Sequence, residues 1–244
     1  MIILETKNLK KKFDGVHAVD GLSISIKKGV ITGIIGPNGS GKTTLIHLLS
    51  GFINFDSGMV VINESAKVSK LKPYDVVSYG ITRTFQDVKL FNQITVLDNM
   101  LLVLTERNVF SALFEKHKEY HLKKCEEILK KVGLWEKRSD LAISLSYGQR
   151  KLLEIGRTLG TNAELYLFDE PFAGLFPEMV KNICAIIQDL KKEGKSVILI
   201  EHNMSLIRQL SDYVFVMDAG KLLAEGKPEE VLNKREVIEA YLGE

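Results

Sequence analysis

The stretch that decides the fold is residues 36–43, Gly36-Pro37-Asn38-Gly39-Ser40-Gly41-Lys42-Thr43. It satisfies the pattern G-x-x-x-x-G-K-[ST] and lies between an apolar run at 31–35, which predicts a strand, and residues 44–49, which have helical character. In such a strand–loop–helix unit the glycines let successive backbone N–H groups converge on phosphate oxygens, and the helix N-terminus adds positive potential. The sequence therefore predicts a phosphate-binding loop.

Two side chains at the end of this loop indicate its chemistry. Lys42 is placed to reach the terminal phosphates of a nucleotide, and Thr43 offers a hydroxyl to Mg²⁺. The alternative is a chance glycine-rich turn, which the strand before the loop and the Lys-Thr pair after it disfavour. We expect the phosphates of a nucleotide to be bound along the whole loop, by Gly36, Pro37, Asn38, Gly39, Ser40, Gly41, Lys42, Thr43 and Thr44.

A pair of carboxylates follows a second apolar strand. The run at 165–168 leads into Asp169 and Glu170, which places both acids at the carboxyl end of a parallel strand, where α/β sheets bind their ligands. Asp169 is suited to hold Mg²⁺, while Glu170, pointing elsewhere, can orient and deprotonate water for in-line attack on the γ-phosphate. Two solvated loop acids are the alternative, although a phosphate loop in the same chain makes a nearby metal-binding acid expected.

Two segments indicate additions to the α/β core. Apolar and polar residues alternate over 22–26, which predicts an antiparallel β layer near the N-terminus. From 91 to about 145 the pattern is mostly helical, and Gly133 follows one helix as its cap. The apolar face of that helix comprises Leu122, Cys125, Leu129 and Val132. We therefore expect a helical insertion within the α/β core.

The core resumes after this insertion. Continuous apolar runs at 165–168 and 197–200 are separated by a helical stretch at 180–192, which is typical of parallel strands buried on both faces. A hairpin at 213–220 then precedes a C-terminal helix that begins near Pro228.

The composition limits the possible partners. Of the 244 residues, 45% are hydrophobic and 26% are charged, and the net charge of +2 offers no general attraction for nucleic acid or anionic lipid. Cys125 and Cys184 belong to no C-x-x-C pair, so neither a disulfide framework nor a thiolate metal site is indicated. The apolar runs fall short of the roughly 20 residues that span a bilayer. We therefore expect no nucleic-acid partner and membrane contact only through other chains.

A third motif closes the helical part, namely Leu145-Ser146-Tyr147-Gly148-Gln149. It contains an S-x-x-Q capping box, and Gly148 leaves the helix start open for a phosphate, although a capped helix alone would be the simpler explanation. The motif resembles the L-S-G-G-Q signature of ATP-binding cassette (ABC) proteins, with Tyr147 in place of the first glycine, a substitution that the family commonly shows. This resemblance implies a P-loop NTPase (RecA-like) core with an N-terminal antiparallel β layer and an inserted α-helical subdomain.

Further landmarks of the ABC family fall in the expected order, so the resemblance covers the chain almost end to end. Phe13 matches the aromatic residue that stacks on adenine, usually a tyrosine, and Ala18 matches the apolar position beside it. Gln86 matches the glutamine that contacts Mg²⁺ and the attacking water. His202 matches the switch histidine that reaches the γ-phosphate. A single Gln or His is more often a packed or solvated residue, but their positions in the series favour these roles.

The resemblance also implies how the site is assembled. A single ABC ATPase domain would cover 1–244, with 87–157 as the helical signature subdomain and 1–86 with 158–244 as the core. Two cassettes would meet head to tail, so that each ATP also touches the partner's signature residues Ser146, Gly148 and Gln149. The catalytic residues would be Glu170, His202, Gln86 and Lys42. The Mg²⁺ ligands would be Thr43, Gln86 and Asp169.

Several stretches narrow the resemblance to the ATPase subunits of branched-chain amino acid importers: Arg83-Thr84-Phe85-Gln86, Thr95-Val96-Leu97-Asp98-Asn99, Ala173-Gly174-Leu175, Glu201-His202-Asn203-Met204 and the tail at 237–243. Phe176 departs from the family, which usually has Asn or Asp in this loop between the two cassettes. The implied partners are a second ATPase subunit, identical or paralogous, transmembrane permease subunits and a substrate-binding protein. The chain would lie at the cytoplasmic face of the membrane, and residues 87–91 would line the groove that receives a permease helix.

Other ABC systems remain alternatives. Urea or amide importers and lipid exporters would share every catalytic residue named above, because their substrate is chosen by other subunits. ABC ATPases of translation or DNA repair usually carry duplicated cassettes or a long coiled-coil insertion, and this sequence shows neither. A nucleotide-gated assembly factor with little turnover is disfavoured by the presence of Glu170 and His202.

Overall fold

The structure is a computed structural model that describes residues 1–85, 87–104 and 118–242. Two compact units divide the chain. The first comprises Met1–Arg83, Ala163–Glu170 and Ile187–Glu244, and the second comprises Thr84–Asn162 and Pro171–Ile186. Gln86, for which a catalytic role is predicted, lies outside the described residues.

The first unit contains two β-sheets. The strands are β1 (Ile2–Phe13), β2 (Val16–Leu22), β3 (Ser25–Lys27), β4 (Ile31–Ile35), β5 (Ser57–Ile62), β6 (Ala66–Val68), β7 (Ile81–Arg83), β8 (Leu165–Asp169), β9 (Ser196–Ile200), β10 (Tyr213–Asp218) and β11 (Lys221–Gly226). One sheet has the order β2-β1-β5-β6, with β3 also paired to β1, and all its pairs are antiparallel. The predicted antiparallel β layer near the N-terminus is therefore confirmed.

The second sheet has the order β11-β10-β4-β9-β8-β7. Its strands from β10 to β7 are parallel, and only β11 is antiparallel to its neighbour. Every residue of β4, β8 and β9 is buried, and Ile34, Leu167 and Ile198 belong to the main hydrophobic core. This burial explains the continuous apolar runs in the sequence, because a parallel strand covered on both faces has no solvent side to favour polar residues.

The alternating pattern of 22–26 predicts a single strand. This prediction is wrong, because β2 ends at Leu22 and β3 begins at Ser25. Both strands nevertheless pair with β1. The buried hydroxyl of Thr6 donates to the carbonyl of Leu22 and accepts from the N–H of Ile24, both at 3.0 Å. One side chain thus bonds the backbone on both sides of the break, in addition to the bond from the N–H of Thr6 to the carbonyl of Ile24 at 2.9 Å.

Within the described ranges, the α-helices are α1 (Lys42–Leu49), α2 (Pro73–Ser78), α3 (Val96–Leu104), α4 (Lys118–Lys131), α5 (Tyr147–Gly160), α6 (Pro177–Lys192), α7 (Met204–Leu210), α8 (Pro228–Val231) and α9 (Arg235–Leu242). In the second unit, α5 packs against α3 and α4. The predicted apolar face of α4 is correct for Cys125, Leu129 and Val132, which are buried, but wrong for Leu122, which is 44% exposed. Gly133 ends this helix as predicted, with a φ of 72°.

The C-terminal helix also differs from its prediction, because it is two short helices. A turn at 232–234 separates α8 from α9, although α8 begins at Pro228 as expected. Within the part of the chain that the structure describes, no helix combines the length and the apolar character needed to cross a membrane.

We expect Thr6→Val to lower the free energy of unfolding by about 1–3 kcal/mol, because the buried N–H of Ile24 and carbonyl of Leu22 lose their partner while the side-chain shape is kept. Thr6→Ser, which retains the hydroxyl and loses one methyl group, is expected to cost only about 0.8 kcal/mol. Denaturant unfolding of both variants measures the difference. Equal losses would show that the hydroxyl does not bridge the break.

Candidate nucleotide-binding and catalytic site

The phosphate loop in the first unit is held by two close backbone contacts. Gly36 has a φ of 153°, and a Cβ placed on it would lie 2.0 Å from the carbonyl oxygen of Met217 in β10. Gly41 has a φ of 98°, and a Cβ there would lie 2.2 Å from the carbonyl oxygen of Ala18 in β2. No other residue fits these positions without displacing backbone. The predicted site residue Ala18 therefore contacts the loop through its main chain.

The turn between β10 and β11 braces the same loop. The N–H of Gly220 donates to the carbonyl of Ser40 at 3.1 Å, and the carbonyl of Gly220 accepts from the N–H of Asp20 at 2.8 Å. These bonds connect the loop through one turn to the N-terminal sheet. The sequence predicted the loop and the turn separately, but nothing in the pattern connected them.

The loop ends in a helix start that is suited to an anion. Helix α1 has Gly41 as its N-cap, without a side-chain cap and without an acidic residue in its first turn. Its N-terminal N–H groups therefore remain available, and they carry the positive end of the helix dipole. Asn38, Gly39 and Thr43 are exposed beside them, Pro37 and Thr44 are half-buried, and Ser40 is buried.

Lys42 is almost fully buried. Its ammonium group donates to the carbonyls of Gly36 at 2.8 Å and Pro37 at 2.9 Å, and to the hydroxyl of Ser40 at 3.3 Å. Burial lowers the pKa of Lys42, while the charges of Glu170 and Asp169 act in the opposite direction. The cation is thus held inside the loop that is predicted to bind phosphate, with two carboxylates acting on it.

Asp169 ends β8 and is 1% exposed. Arg83 at the end of the neighbouring strand β7 places a guanidinium nitrogen 3.6 Å from Oδ2 of Asp169, and it also donates to the hydroxyl of Ser50 at 2.9 Å. Our sequence prediction gave Arg83 no role at the site. The parallel pairing of β7 with β8 brings the two residues together, and that pairing was not evident from the sequence.

Glu170 and His202 form a pair at the carboxyl ends of β8 and β9. The Nε2 atom of His202 lies 2.6 Å from Oε1 of Glu170. The N–H of Glu170 donates to the carbonyl of Ile200, the last residue of β9, at 3.1 Å. Glu170 has a φ of 49°, a left-handed conformation that is uncommon outside glycine and is found at active sites. The structure therefore brings together two of the predicted catalytic side chains.

Phe13 lies at the exposed end of β1, with the ammonium group of Lys11 5.1 Å from its ring centroid.

In the second unit, Ser146 is the N-cap of α5. The N–H of Gln149 donates to the Ser146 hydroxyl at 3.3 Å, and the N–H of Ser146 donates to Oε1 of Gln149 at 3.0 Å. The predicted capping box is therefore confirmed. A Cβ on Gly148 would lie 2.4 Å from the sulfur of Met179, so a larger residue there would displace the Met179 side chain.

Phe176 precedes α6 and is 76% exposed. Its carbonyl accepts the N–H groups of Met179 and Val180, which is the bonding of a helix N-cap residue. Asn or Asp, which the family usually has here, can also cap the helix with its side chain, and phenylalanine cannot. The departure from the family pattern therefore removes a side-chain cap and adds an exposed ring.

The side chains that are predicted to bind Mg²⁺ suit an ion that is bound together with a nucleotide. They suit a metal ion bound by protein alone less well. Among the residues that the structure describes, no group of three or more His, Cys, Asp or Glu side chains could hold a metal. Mg²⁺ in nucleotide sites is typically bound by one or two protein oxygens together with phosphates and water. The hydroxyl of Thr43 and the carboxylate of Asp169 are of this kind.

Comparison with known proteins identifies the family. A sequence model described as ABC transporter matches residues 19–173. The chain belongs to the ABC transporter family. It is an ATP-binding cassette that hydrolyses ATP to drive transport, and it has the predicted P-loop NTPase fold. A second model, described as Branched-chain amino acid ATP-binding cassette transporter, matches residues 221–244 of this ABC ATPase.

Individual relatives match over nearly the whole length of the ABC ATPase. Probable branched-chain amino acid transport ATP-binding protein LivG from Methanocaldococcus jannaschii is 39% identical, with 100% of this chain and 98% of that protein covered. The high-affinity LivG protein of Escherichia coli is 34% identical, with 99% and 98% covered. A crystal structure of the ADP conformation of an ABC transporter cassette has a TM-score of 0.86 at 38% identity, covering 100% of both chains.

We expect Gly36→Ala to lower the free energy of unfolding by at least about 2 kcal/mol more than Gly39→Ala, because overpacking against a backbone carbonyl adds to the left-handed strain. Both glycines have positive φ, but a Cβ on Gly39 would meet nothing within 4 Å. Thermal unfolding of the two variants without nucleotide measures the difference. Similar stabilities would contradict the close contact at Met217.

We expect Arg83→Met to lower the free energy of unfolding by about 3 kcal/mol at pH 8, because it removes a cation from a buried carboxylate. Arg83→Lys, which keeps the charge, should lose less. Unfolding curves in guanidinium chloride measure both. If Arg83→Met is as stable as the wild type, the ion pair with Asp169 does not contribute to folding.

Proposed function

We propose that this ABC ATPase powers the import of branched-chain amino acids. The observation that carries its ATPase role is the Glu170–His202 pair, 2.6 Å apart at the end of the strand that also carries the buried Asp169. The substrate class is supported by the match of residues 221–244 to the branched-chain amino acid model and by the names of the LivG relatives.

The residues of the first unit support specific roles. Lys42 would leave the loop carbonyls and bind the terminal phosphates of ATP, with the N–H groups at the start of α1 beside it. Thr43 and Asp169 would hold Mg²⁺, with Gln86 as the third ligand. When bound, the ion supplies charge neutralisation at the phosphates. Phe13 and Ala18 would contact the adenine ring.

Glu170 would accept a proton from the attacking water, since its carboxylate is the acceptor and the left-handed backbone directs it away from the metal ligand Asp169. His202 would orient that carboxylate and contact the γ-phosphate. Because phosphoryl transfer depends mostly on positioning and charge, small displacements of these groups should have large effects on the rate.

The complete site would require a second cassette, whose Ser146, Gly148 and Gln149 contact the same ATP. We propose a head-to-tail dimer, identical or paralogous, that closes on ATP and acts on transmembrane permease subunits at the cytoplasmic face of the membrane. A substrate-binding protein would deliver the amino acid. The boundaries 87–157 for the signature subdomain, and 1–86 with 158–244 for the core, are part of this proposal.

Replacing Glu170 by Gln tests the role of the carboxylate. We expect at least about a hundredfold loss of ATP hydrolysis with retained ATP binding, because general-base catalysis contributes roughly that much. We also expect Glu170→Gln to form dimers on size-exclusion chromatography with Mg²⁺ and ATP, but not with ADP, while the wild type stays monomeric.

The matched control is Glu229→Gln, which removes the same charge from the exposed start of α8. It should behave as the wild type in both assays. Wild-type hydrolysis by Glu170→Gln would overturn the assignment of the base. A Glu170→Gln protein that binds ATP, does not hydrolyse it and stays monomeric would contradict the proposed closure of two isolated cassettes.

A further inference from the structure

Helix α5 of the second unit buries charged side chains along the face opposite solvent. Glu154 is 4% exposed, and its Oε1 accepts the N–H of Phe85 at 3.1 Å. Burial raises the pKa of Glu154 to about 7, while the backbone N–H groups of Phe85 and Lys89 and the charges of Lys151 and Arg157 act to lower it. A buried carboxylate is costly unless it is bonded, and here its partners are backbone groups of the segment 85–91, of which the structure describes Phe85 and residues 87–91.

Arg157 lies one turn further along the same helix and contacts the same segment. It donates to the carbonyl of Lys89 at 2.6 Å, and its guanidinium carbon lies 5.5 Å from the centroid of the Phe91 ring. The ammonium group of Lys89 in turn lies 4.6 Å from the ring centroid of Phe85. Glu154 and Arg157 therefore bond the segment through an N–H and a C=O group, which side-chain substitutions within the segment would not remove.

The far end of the segment is fixed by Asn99 of α3, which is fully buried. Its side chain accepts the N–H of Phe91 and donates to the carbonyl of Phe91, both at 3.0 Å. Asp87, Lys89 and Phe91 nevertheless remain exposed. The segment thus has a backbone held by α3 and α5 and side chains available to another molecule.

These contacts hold the segment against helix α5, which begins at the signature motif. Ser146 caps α5, and Arg157 lies eleven residues later, roughly 16 Å along the helix axis. A hydrogen-bonded helix of this length moves as one body, so a displacement of the segment at one end is carried to the capping box at the other.

We propose that Glu154 and Arg157 are positioning residues that hold the backbone of Phe85 and of residues 87–91 against helix α5, and that they thereby set where the signature residues Ser146 to Gln149 lie. This inference rests on the proposed function, in which the signature residues bind ATP across a dimer. The pair does not touch ATP; it sets where the ATP-binding end of α5 lies.

The first test is hydrogen exchange of the chain, followed by mass spectrometry, for Glu154→Met, which removes the acceptor oxygen, for Arg157→Met and for the double variant. The exposed Glu127 on α4 provides the matched control Glu127→Met. We expect peptides covering 85–91 to exchange about tenfold faster in each single variant, and the double variant to add little, because both residues hold one segment. Peptides from β8 and β9 and the control should not change. Faster exchange throughout the chain, or unchanged exchange at 85–91, would overturn the proposal.

The second test measures ATP-dependent dimerisation, which would not change if the two residues only stabilised the fold. In the Glu170→Gln background, we expect Arg157→Met to leave the ATP affinity of the monomer within about twofold of its parent, because the phosphate loop lies in the other unit. The ATP concentration needed for dimerisation should rise about tenfold. Equal ATP-dependent dimerisation with and without Arg157→Met would overturn the coupling. If the parent Glu170→Gln does not dimerise, the proposed function fails, and hydrogen exchange still decides whether the pair holds the segment.

Discussion

The close approach of the phosphate loop to two backbone carbonyls is the constraint on which the nucleotide site depends. Met217 and Ala18 present their carbonyl oxygens where any Cβ on Gly36 or Gly41 would lie, so the loop path is set by strands from both sheets of the first unit. A loop fixed in this way keeps its N–H groups in place before ATP arrives. Less ordering is then required on binding, which is the physical basis of a preorganised anion site.

Charge balance is the second requirement of this unit. Lys42, Arg83 and Asp169 are all largely buried, and each would be costly alone. Arg83 places a cation beside Asp169, and the loop carbonyls surround the ammonium of Lys42. In the proposed function, ATP with Mg²⁺ would bring both signs of charge to the same place, and its binding would exchange these internal partners for phosphate and metal without leaving a buried charge uncompensated.

The sequence predicted those features that depend on local pattern. The buried parallel strands are recognisable because each is short, mostly apolar and followed by glycine or carboxylate, and the capping box at Ser146 and Gln149 is a four-residue signal. Contacts between distant segments were not predictable in this way. Arg83 meets Asp169 only through strand pairing, and Glu154 meets residues 85–91 only through the fold of the second unit.

Periodicity alone did not predict two features of the structure. The alternation at 22–26 favours one strand, but the Thr6 hydroxyl from another strand satisfies the backbone where that strand breaks. Leu122 fits the apolar period of α4, yet it is exposed at 44% while Cys125, Leu129 and Val132 are covered. The period of the sequence carries no information about which distant segments lie against a strand or a helix.

The two helix starts that are proposed to meet one ATP are not equivalent. Helix α1 begins after Gly41 without a side-chain cap, so its first N–H groups are free for phosphate. Helix α5 begins with a capping box that already uses the N–H groups of Ser146 and Gln149, which leaves those of Tyr147 and Gly148. The phosphate loop therefore has the greater capacity to bind ATP in a single chain, and the signature helix has the smaller capacity. This difference favours a sequence of events in which one cassette first binds ATP and a second cassette then closes on it.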